Sequence, residues 1–454
     1  MEIMLKLTFY GGANEIGGNK ILLEDKDAKI YLDFGQSFDF GDEYFYDWLQ
    51  PRNVNGLEVM FEFDLMPKVE KLYSKKVLHF TDLKYQKSDI DAVFISHSHS
   101  DHVNHLPYLD ETIPVYMGHG TKVILDAYKK LYKQYYDIGE HQYNLFESGD
   151  KIKVKHLIIE PIHVEHSIPG AYGFIIHTTK GPLIYTGDFR LHGPKSQYTK
   201  EFIQKAKEAK PYVMLCEGTR MSNDVKENFS EEQVEQKIDK IVNESKGIVF
   251  AYFSMSNVDR FFSFYNVAKK SKRTLVIDTR FAYILESLRE KINDLPDPKN
   301  DKYLKVYFRL GKSKIFDKTD YKVYERAYMP NMITYNQIKE EPKKYLMHMN
   351  FFKLMELIYI QPKDSDFIYS SSEHFLEGEE NEDQTKVMMN WMKHFGIKFH
   401  IAHCSGHIDK ESLEHVIKEI NPKILIPIHT QNAKDFETLH KNVILPQKNK
   451  EIEI

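Results

Sequence analysis

The chain has 454 residues, which is room for two domains of ordinary size, or three. Hydrophobic residues make up 42% and charged residues 28%, the balance of a soluble globular protein with sizeable cores. The formal net charge of −5 lacks the basic surplus that nucleic-acid binders often carry, so such a partner would need a local basic groove.

The chain holds two cysteines, Cys216 and Cys404. They form neither a zinc knuckle nor a disulfide framework, which fits a reducing compartment. Met1 to Tyr10 has no long apolar run, so no signal peptide is expected. No stretch approaches the roughly 20 apolar residues that span a bilayer. A cytoplasmic location without membrane attachment is expected.

In chain order, residues 4–10, 20–24 and 29–32 read as short strands of apolar and β-branched residues. Between the first two lies Gly11-Gly12-Ala13-Asn14-Glu15-Ile16-Gly17-Gly18, read as tight-turn chemistry near a site. It matches neither nucleotide-binding glycine fingerprint. Asp91 to Ser96 is a buried-type strand, and Thr121 to Tyr136 has helical apolar spacing. Residues 157–163, 172–178, 182–186 and 211–216 are strand-like. Strands alternate with helices, so the class is α/β.

The pattern changes from about 217 to 400. Ser230-Glu231-Glu232-Gln233 reads as a capping box. Residues 248–253, 274–278 and 366–371 are short apolar runs, each followed by a helical pattern: a second α/β unit. Residues 293–303 are loop by composition, and the acidic run Glu373 to Asp383 reads as a solvated loop and helix start. After 400 come a strand from Lys398, a glycine turn, a helix from about Lys410 and the strand Ile424 to Ile428. This segment ends in histidines, as the first one does, which suggests a return to the first domain.

The chemistry concentrates in His97-Ser98-His99-Ser100-Asp101-His102, four metal-ligand types within six residues after an apolar strand. In extended backbone His97 and His99 face one side and can point at one metal. Asp101 and His102, past the strand end, can turn toward a second. Imidazole with carboxylate suits zinc, and manganese where more oxygen ligands join. His166, Asp188 and His429 also follow apolar strands, the position where ligands bind in open α/β sheets. His105, His119, His163, His177, His192 and His374 lack that context and read as structural or surface residues. His163 is close enough to His166 to support it.

The pattern His97-x-His99-x-Asp101-His102 resembles the signature of the metallo-β-lactamase superfamily. Tyr31-Leu32-Asp33-Phe34-Gly35 resembles its first motif, and His166 and Asp188 its third and fourth. Glu217, His403-Cys404-Ser405-Gly406-His407 and Pro427-Ile428-His429 resemble motifs A, B and C of the β-CASP branch. Phe253-Ser254-Met255-Ser256-Asn257 and Tyr369-Ser370-Ser371-Ser372 resemble segments of ribonuclease J.

This resemblance implies an α/β fold, the metallo-β-lactamase αββα sandwich, with an inserted α/β β-CASP domain. The first part spans 1–215, the insertion 216–400 and the completing part 401–454. The ligand sets implied are His97, His99 and His166 on one metal and Asp101, His102 and His429 on the other, with Asp188 bridging. Asp33 would orient ligands, and Asp101, Glu217 and His407 would act in catalysis, His407 on the scissile phosphate or the leaving oxygen. Ser256, Asn257, Ser370, Ser371 and His403 would line a 5′-phosphate pocket. The cofactors implied are two divalent ions, zinc or manganese, with single-stranded RNA as substrate and a homodimer as a possible assembly. The activity implied is 5′-to-3′ exonuclease with endonuclease cleavage as a variant. A β-CASP nuclease acting on DNA is an alternative, which the motif C histidine disfavours, since DNA-acting members usually carry valine there. An ester or lactone hydrolase is another, which the extra domain disfavours. Ribonuclease J without its C-terminal domain is the nearest form, and Gly218-Thr219-Arg220 departs from the family's serine-threonine pair.

Overall fold

A computed structural model describes residues 5–454 except 47, 134–135, 223–228, 373–375 and 377–378, with no side-chain description at 53 and 379–381. It forms two compact units. Unit 1 comprises residues 1–191, 195–226 and 406–454, and unit 2 comprises 192–194 and 227–405.

Unit 1 holds two sheets. The first contains β1 (Leu5–Gly11), β2 (Lys20–Asp25), β3 (Ala28–Leu32), β4 (Ala92–Ile95), β5 (Val115–Gly118) and β6 (Tyr143–Phe146). The second contains β7 (Ile152–Val154), β8 (Leu157–His163), β9 (Tyr172–Thr178), β10 (Gly181–Tyr185) and β11 (Val213–Glu217). Unit 2 contributes β12 (Val249–Tyr252), β13 (Thr274–Asp278), β14 (Leu304–Tyr307), β15 (Met332–Ile333), β16 (Tyr345–His348), β17 (Asp366–Tyr369) and β18 (Lys398–Ile401). The chain then returns with β19 (Ile424–Ile428) at the edge of the second sheet and β20 (Glu451–Glu453) at the edge of the first.

The two sheets of unit 1 face each other across one apolar layer. Leu7, Phe9, Leu23, Leu32 and Phe94 from the first meet Ile159, Phe174, Ile176, Leu183, Leu215 and Ile428 from the second, all fully buried. Each such side chain contributes about 1.5–3 kcal/mol by leaving water. The outer face of the first sheet is covered by Leu57, Leu106 and Leu125, the last on the helix His119–Tyr132. The outer face of the second is covered by the helices Ser196–Ala209 and Lys410–Ile420, through Phe202, Ala206, Leu413 and Ile417. The layers are therefore helix, sheet, sheet, helix, as the resemblance implied.

Unit 2 is a seven-stranded sheet in the order β15-β14-β13-β16-β12-β17-β18, with every pairing parallel. Parallel strands need crossovers, and helices such as Val258–Lys270 supply them. The expected capping box is present: Ser230 and Gln233 satisfy each other's backbone amides at the start of the helix Glu231–Glu244.

Several boundaries differ from the sequence expectation. The helix expected at 121–136 runs from His119 to Tyr132, because Gly118 ends β5 in extended backbone and opens the helix directly. Lys133, at φ 1°, is already outside it. β11 includes Glu217, whose partner in the sheet is Ile428. Residues 216–222 accordingly belong to unit 1, while β18 and the residues after it to Ser405 belong to unit 2. Of the acidic run, 373–375 and 377–378, with His374, lie outside the described residues. Glu382 and Asp383 are exposed on the helix Glu379–Phe395. No helix among the described residues is long and apolar enough to cross a membrane.

Candidate metal centre

β3 and β4 run parallel in the first sheet and β10, β11 and β19 run parallel in the second, so within each group the carboxyl ends lie together and carry the residues that follow them. Asp33 follows β3, Asp188 follows β10, His429 follows β19, and Glu217 is the last residue of β11. His97 and His99 follow β4, and Asp101 and His102 sit in the single helical turn Ser100–Val103. Glycine makes this packing possible. A Cβ on Gly35 would stand 1.8 Å from the Asp101 carbonyl oxygen, and one on Gly17 would stand 2.7 Å from Asp101 Cβ. Asp33 and His429 adopt left-handed backbone, at φ 57° and 53°. Such conformations persist in non-glycine residues only where the surroundings hold them.

His97 Nε2 and His166 Nε2 each lie 3.0 Å from His99 Nδ1. On the other side, His429 Nε2 is 2.9 Å and His102 Nε2 3.4 Å from Asp101 Oδ2. Asp188 Oδ2 belongs to both groups, 3.6 Å from His97 Nε2 and 3.2 Å from His102 Nε2. These donors form the sets His97, His99, His166, Asp188 and Asp101, His102, Asp188, His429, each with its ligand atoms within 4.8 Å of one another. A third set of the same kind is Asp188, Glu217, His407 and His429.

The residues fit a pair of metal ions. Ligand atoms around a tetrahedral ion at 2.0–2.1 Å stand about 3.3 Å apart, close to the spacing of the three imidazoles. Asp188 Oδ1 is buried without a hydrogen-bond partner among the described residues, a cost that an ion removes. Burial pushes His97 and His166 well below the usual imidazole range and His99 down to about 4, so all three present neutral nitrogens. Burial opposes charge on His102 and His429 too, but the Asp188 and Asp101 carboxylates outweigh it and raise both. In return, burial of Asp101 and Asp188 is outweighed by His102 and His429, and both acids are held well below the carboxylate range.

The ring nitrogens facing away from the cluster are also placed. His102 Nδ1 lies 2.6 Å from Asp33 Oδ2, which accepts as well from Tyr185 Oη at 2.5 Å and Ser96 Oγ at 2.8 Å. Asn19 Nδ2 donates to Tyr185 Oη at 3.0 Å. His166 Nδ1 lies 2.6 Å from the Gly406 carbonyl. Such partners fix ring orientation and tautomer. Ser96, Asn19, Tyr185 and Gly406 were not foreseen. Their only sequence signal is position, Ser96 and Tyr185 closing runs that lead into His97 and Asp188.

Glu217 is held by the amides of Phe189 and Thr219, each at 3.1 Å, and its Oε1 lies 3.1 Å from His407 Nδ1. Burial works against charge on His407, but Glu217 and then Asp188 outweigh it and raise the imidazole to about 9. His105 and His163 stay apart from the cluster. His105 packs on Phe40, and His163 stacks between Tyr172 and Tyr198 rather than supporting His166.

In unit 2, Ser370 and His403 meet at Arg260. Its Nη1 donates to the Ser370 carbonyl at 2.9 Å and hydroxyl at 2.6 Å, and lies 3.2 Å from His403 Nδ1. The Ser370 hydroxyl donates to the Ala402 carbonyl, so its one proton is committed within the fold. Asn257 caps the helix Val258–Lys270 by accepting from Arg260 N at 3.0 Å. Ser256 Oγ pairs with Ser254 Oγ at 3.0 Å. Beside Ser371, the Tyr369 hydroxyl donates to the Ser372 carbonyl at 3.3 Å.

Fold and donor arrangement define the class as a metallo-β-lactamase domain. A beta-lactamase superfamily domain is matched over residues 72–226. Ribonuclease J of Mycoplasma genitalium is 23% identical over 434 residues, covering 93% of this chain and 67% of that protein. Ribonuclease J of Helicobacter pylori is 24% identical over 475 residues, covering 99% of this chain and 61% of that protein. The chain thus spans about two thirds of these relatives' length. A solved structure, a protein of unknown function from Enterococcus faecalis V583, is 25% identical and superposes with a TM-score of 0.77, covering 99% of this chain and all of that one. The chain is thus similar to ribonuclease J over most of its length and carries a beta-lactamase superfamily domain.

Proposed function

We propose that this protein is a cytoplasmic ribonuclease that hydrolyses phosphodiester bonds of single-stranded RNA, removing nucleotides from a 5′-phosphorylated end. The observation that carries the reading is the Glu217–His407 pair, 3.1 Å apart, with His407 Nδ1 only 3.9 Å from the carboxylate shared by both donor sets. A cluster that only held metal would need no such pair beside it.

When bound, the two divalent ions, zinc or manganese, supply an activated water and positive charge toward the phosphorus. His97, His99 and His166 would hold one ion and Asp101, His102 and His429 the other, with the Asp188 carboxylate common to both sets. Asp33 keeps the His102 ring in place through Nδ1, and Gly406 does the same for His166. Glu217 accepts the hydrogen bond of His407 Nδ1–H, leaving Nε2 as the nitrogen that gives a proton to the leaving oxygen. The terminal phosphate is assigned to unit 2, at the amino end of the 13-residue helix Val258–Lys270, where Ser256 and Asn257 stand and where backbone amides favour an anion. Ser371 and His403 complete this assignment.

The test is product analysis. Protein loaded with zinc or manganese and given 5′-monophosphorylated single-stranded RNA is expected to release mononucleotides, and Asp101→Ala to lose both turnover and metal. Undiminished cleavage by Asp101→Ala would overturn the site assignment, and products that are internal fragments alone would overturn the exonuclease mode.

A further inference from the structure

Thr219 lies two positions after Glu217 and touches both histidines beyond it. Its hydroxyl is 2.8 Å from His429 Nδ1, 3.2 Å from His407 Nδ1 and 3.4 Å from the His429 carbonyl oxygen. Its amide donates to Glu217 Oε2 at 3.1 Å. A hydroxyl has two acceptor lone pairs and one proton. One assignment satisfies these contacts together with Glu217: His429 donates its Nδ1 proton to Thr219 Oγ1, the His407 Nδ1 proton is held by Glu217 Oε1 at 3.1 Å with Thr219 Oγ1 as its second acceptor, and the hydroxyl proton goes to the His429 carbonyl. Both rings then keep Nε2 for the site, and His429 Nε2 faces Asp101 Oδ2 at 2.9 Å. The carbonyl contact also helps to hold His429 in its left-handed backbone, with the His429 amide donating to the Gly12 carbonyl at 2.8 Å.

We propose that Thr219 is a positioning residue whose single hydroxyl sets the tautomer and ring orientation of His429 and, beside Glu217, helps to orient the His407 ring, linking the metal position at His429 to the aim of the His407 proton. This rests on the reading of His429 as a metal ligand and is independent of the substrate. His97, His99 and His166 lie outside its reach, so the effect falls on one ion of the two. Valine keeps the branched shape of threonine without the hydroxyl, and serine keeps the hydroxyl without the methyl group. The pair separates hydrogen bonding from packing.

The experiment uses the full chain, stripped of metal and titrated calorimetrically with Zn2+. Wild type, Thr219→Val and Thr219→Ser are compared, with ¹⁵N-histidine spectra of the zinc-loaded proteins recorded in parallel. Thr219→Val is expected to weaken one of two zinc affinities roughly 10–100-fold, the usual effect of losing a partner behind a ligand, and to leave the other unchanged. Its spectra are expected to move one histidine, His429, away from the Nδ1–H form, while His407, still held by Glu217, keeps it. Thr219→Ser is expected to match wild type in both. Equal zinc affinities and unmoved spectra in Thr219→Val would overturn the proposal, as would a Thr219→Ser as impaired as Thr219→Val, or a wild type that binds no zinc. None of these readouts involves RNA, so failure to cut RNA removes the proposed function without touching this inference.

Discussion

His166 Nδ1 and the Gly406 carbonyl oxygen stand 2.6 Å apart although 240 positions separate them in the chain. The ring N–H donates to that carbonyl, which turns Nε2 toward His99. One ligand is therefore oriented by the segment that returns after unit 2, so the donor cluster is complete only when both parts of unit 1 are in place. A Cβ on Gly406 would come 2.9 Å from His166 Cε1, which is why this position in the Ser-Gly-His segment is a glycine.

Asp33 performs the same service for His102. Asp33→Asn keeps a side chain that tolerates the left-handed backbone but places an amide against three donors, Ser96, Tyr185 and His102. Metal affinity is expected to fall roughly 10–100-fold, as measured by competition with a chelating dye. Unchanged affinity would mean that Asp33 is a fold residue only.

His407→Ala is expected to slow turnover roughly 10²–10⁴-fold, the usual contribution of a general acid. Elemental analysis should still find two ions per chain. Because Asp188, Glu217, His407 and His429 also form a group of metal-ligand spacing, loss of an ion in this variant would make His407 a ligand instead.

Arg260 is fully buried, with Nε 2.6 Å from Glu231 Oε1 and Nη2 3.1 Å from Oε2. Arg260→Met leaves that carboxylate buried and uncompensated, and is expected to lower unfolding stability by about 3–5 kcal/mol. The double change with Glu231→Gln should recover part of the loss in a denaturant titration. An additive double mutant would contradict the pairing.

Lys20 gives a pH signature outside the ligand cluster. Burial lowers its ammonium from 10.5 to about 7, and its Nζ donates to the Gly18 carbonyl at 3.2 Å and lies 5.9 Å from the centre of the Phe34 ring. Below pH 7 both folded and unfolded chains hold the proton, and the full cost of burying the charge is felt. Between about 7 and 10.5 the unfolded chain binds more protons, so this residue makes stability rise with pH, by at most about 1.4 kcal/mol per pH unit. Lys20→Met should flatten that rise in thermal melts recorded from pH 7 to 10. A slope identical to wild type would contradict it.

What the sequence made legible was local. Short apolar runs ending in His97, Asp188 and His429 are visible because a buried strand and the ligand after it are adjacent in the chain. The Ser230–Gln233 cap is visible for the same reason. The support behind the ligands was not legible. Tyr185 meets Asp33 across 152 positions and Thr219 meets His429 across 210, and neither residue type has a spacing that announces the contact. Ser370 was implied by the resemblance as one of a group of phosphate-pocket residues, while the fold engages its hydroxyl with Arg260 and Ala402. Gly118 let a strand run straight into a helix, which hydrophobic spacing alone placed two residues late.

The central claim is that the metal cluster acts on phosphodiesters of RNA. Zinc- or manganese-loaded protein would be incubated side by side with 5′-labelled single-stranded RNA, single-stranded DNA of the same sequence, an aryl ester and a lactone, with metal-stripped protein as control. Metal-dependent cleavage of RNA, with the DNA, the ester and the lactone left intact, is predicted. Metal-dependent hydrolysis of the ester or lactone with both nucleic acids intact would contradict it.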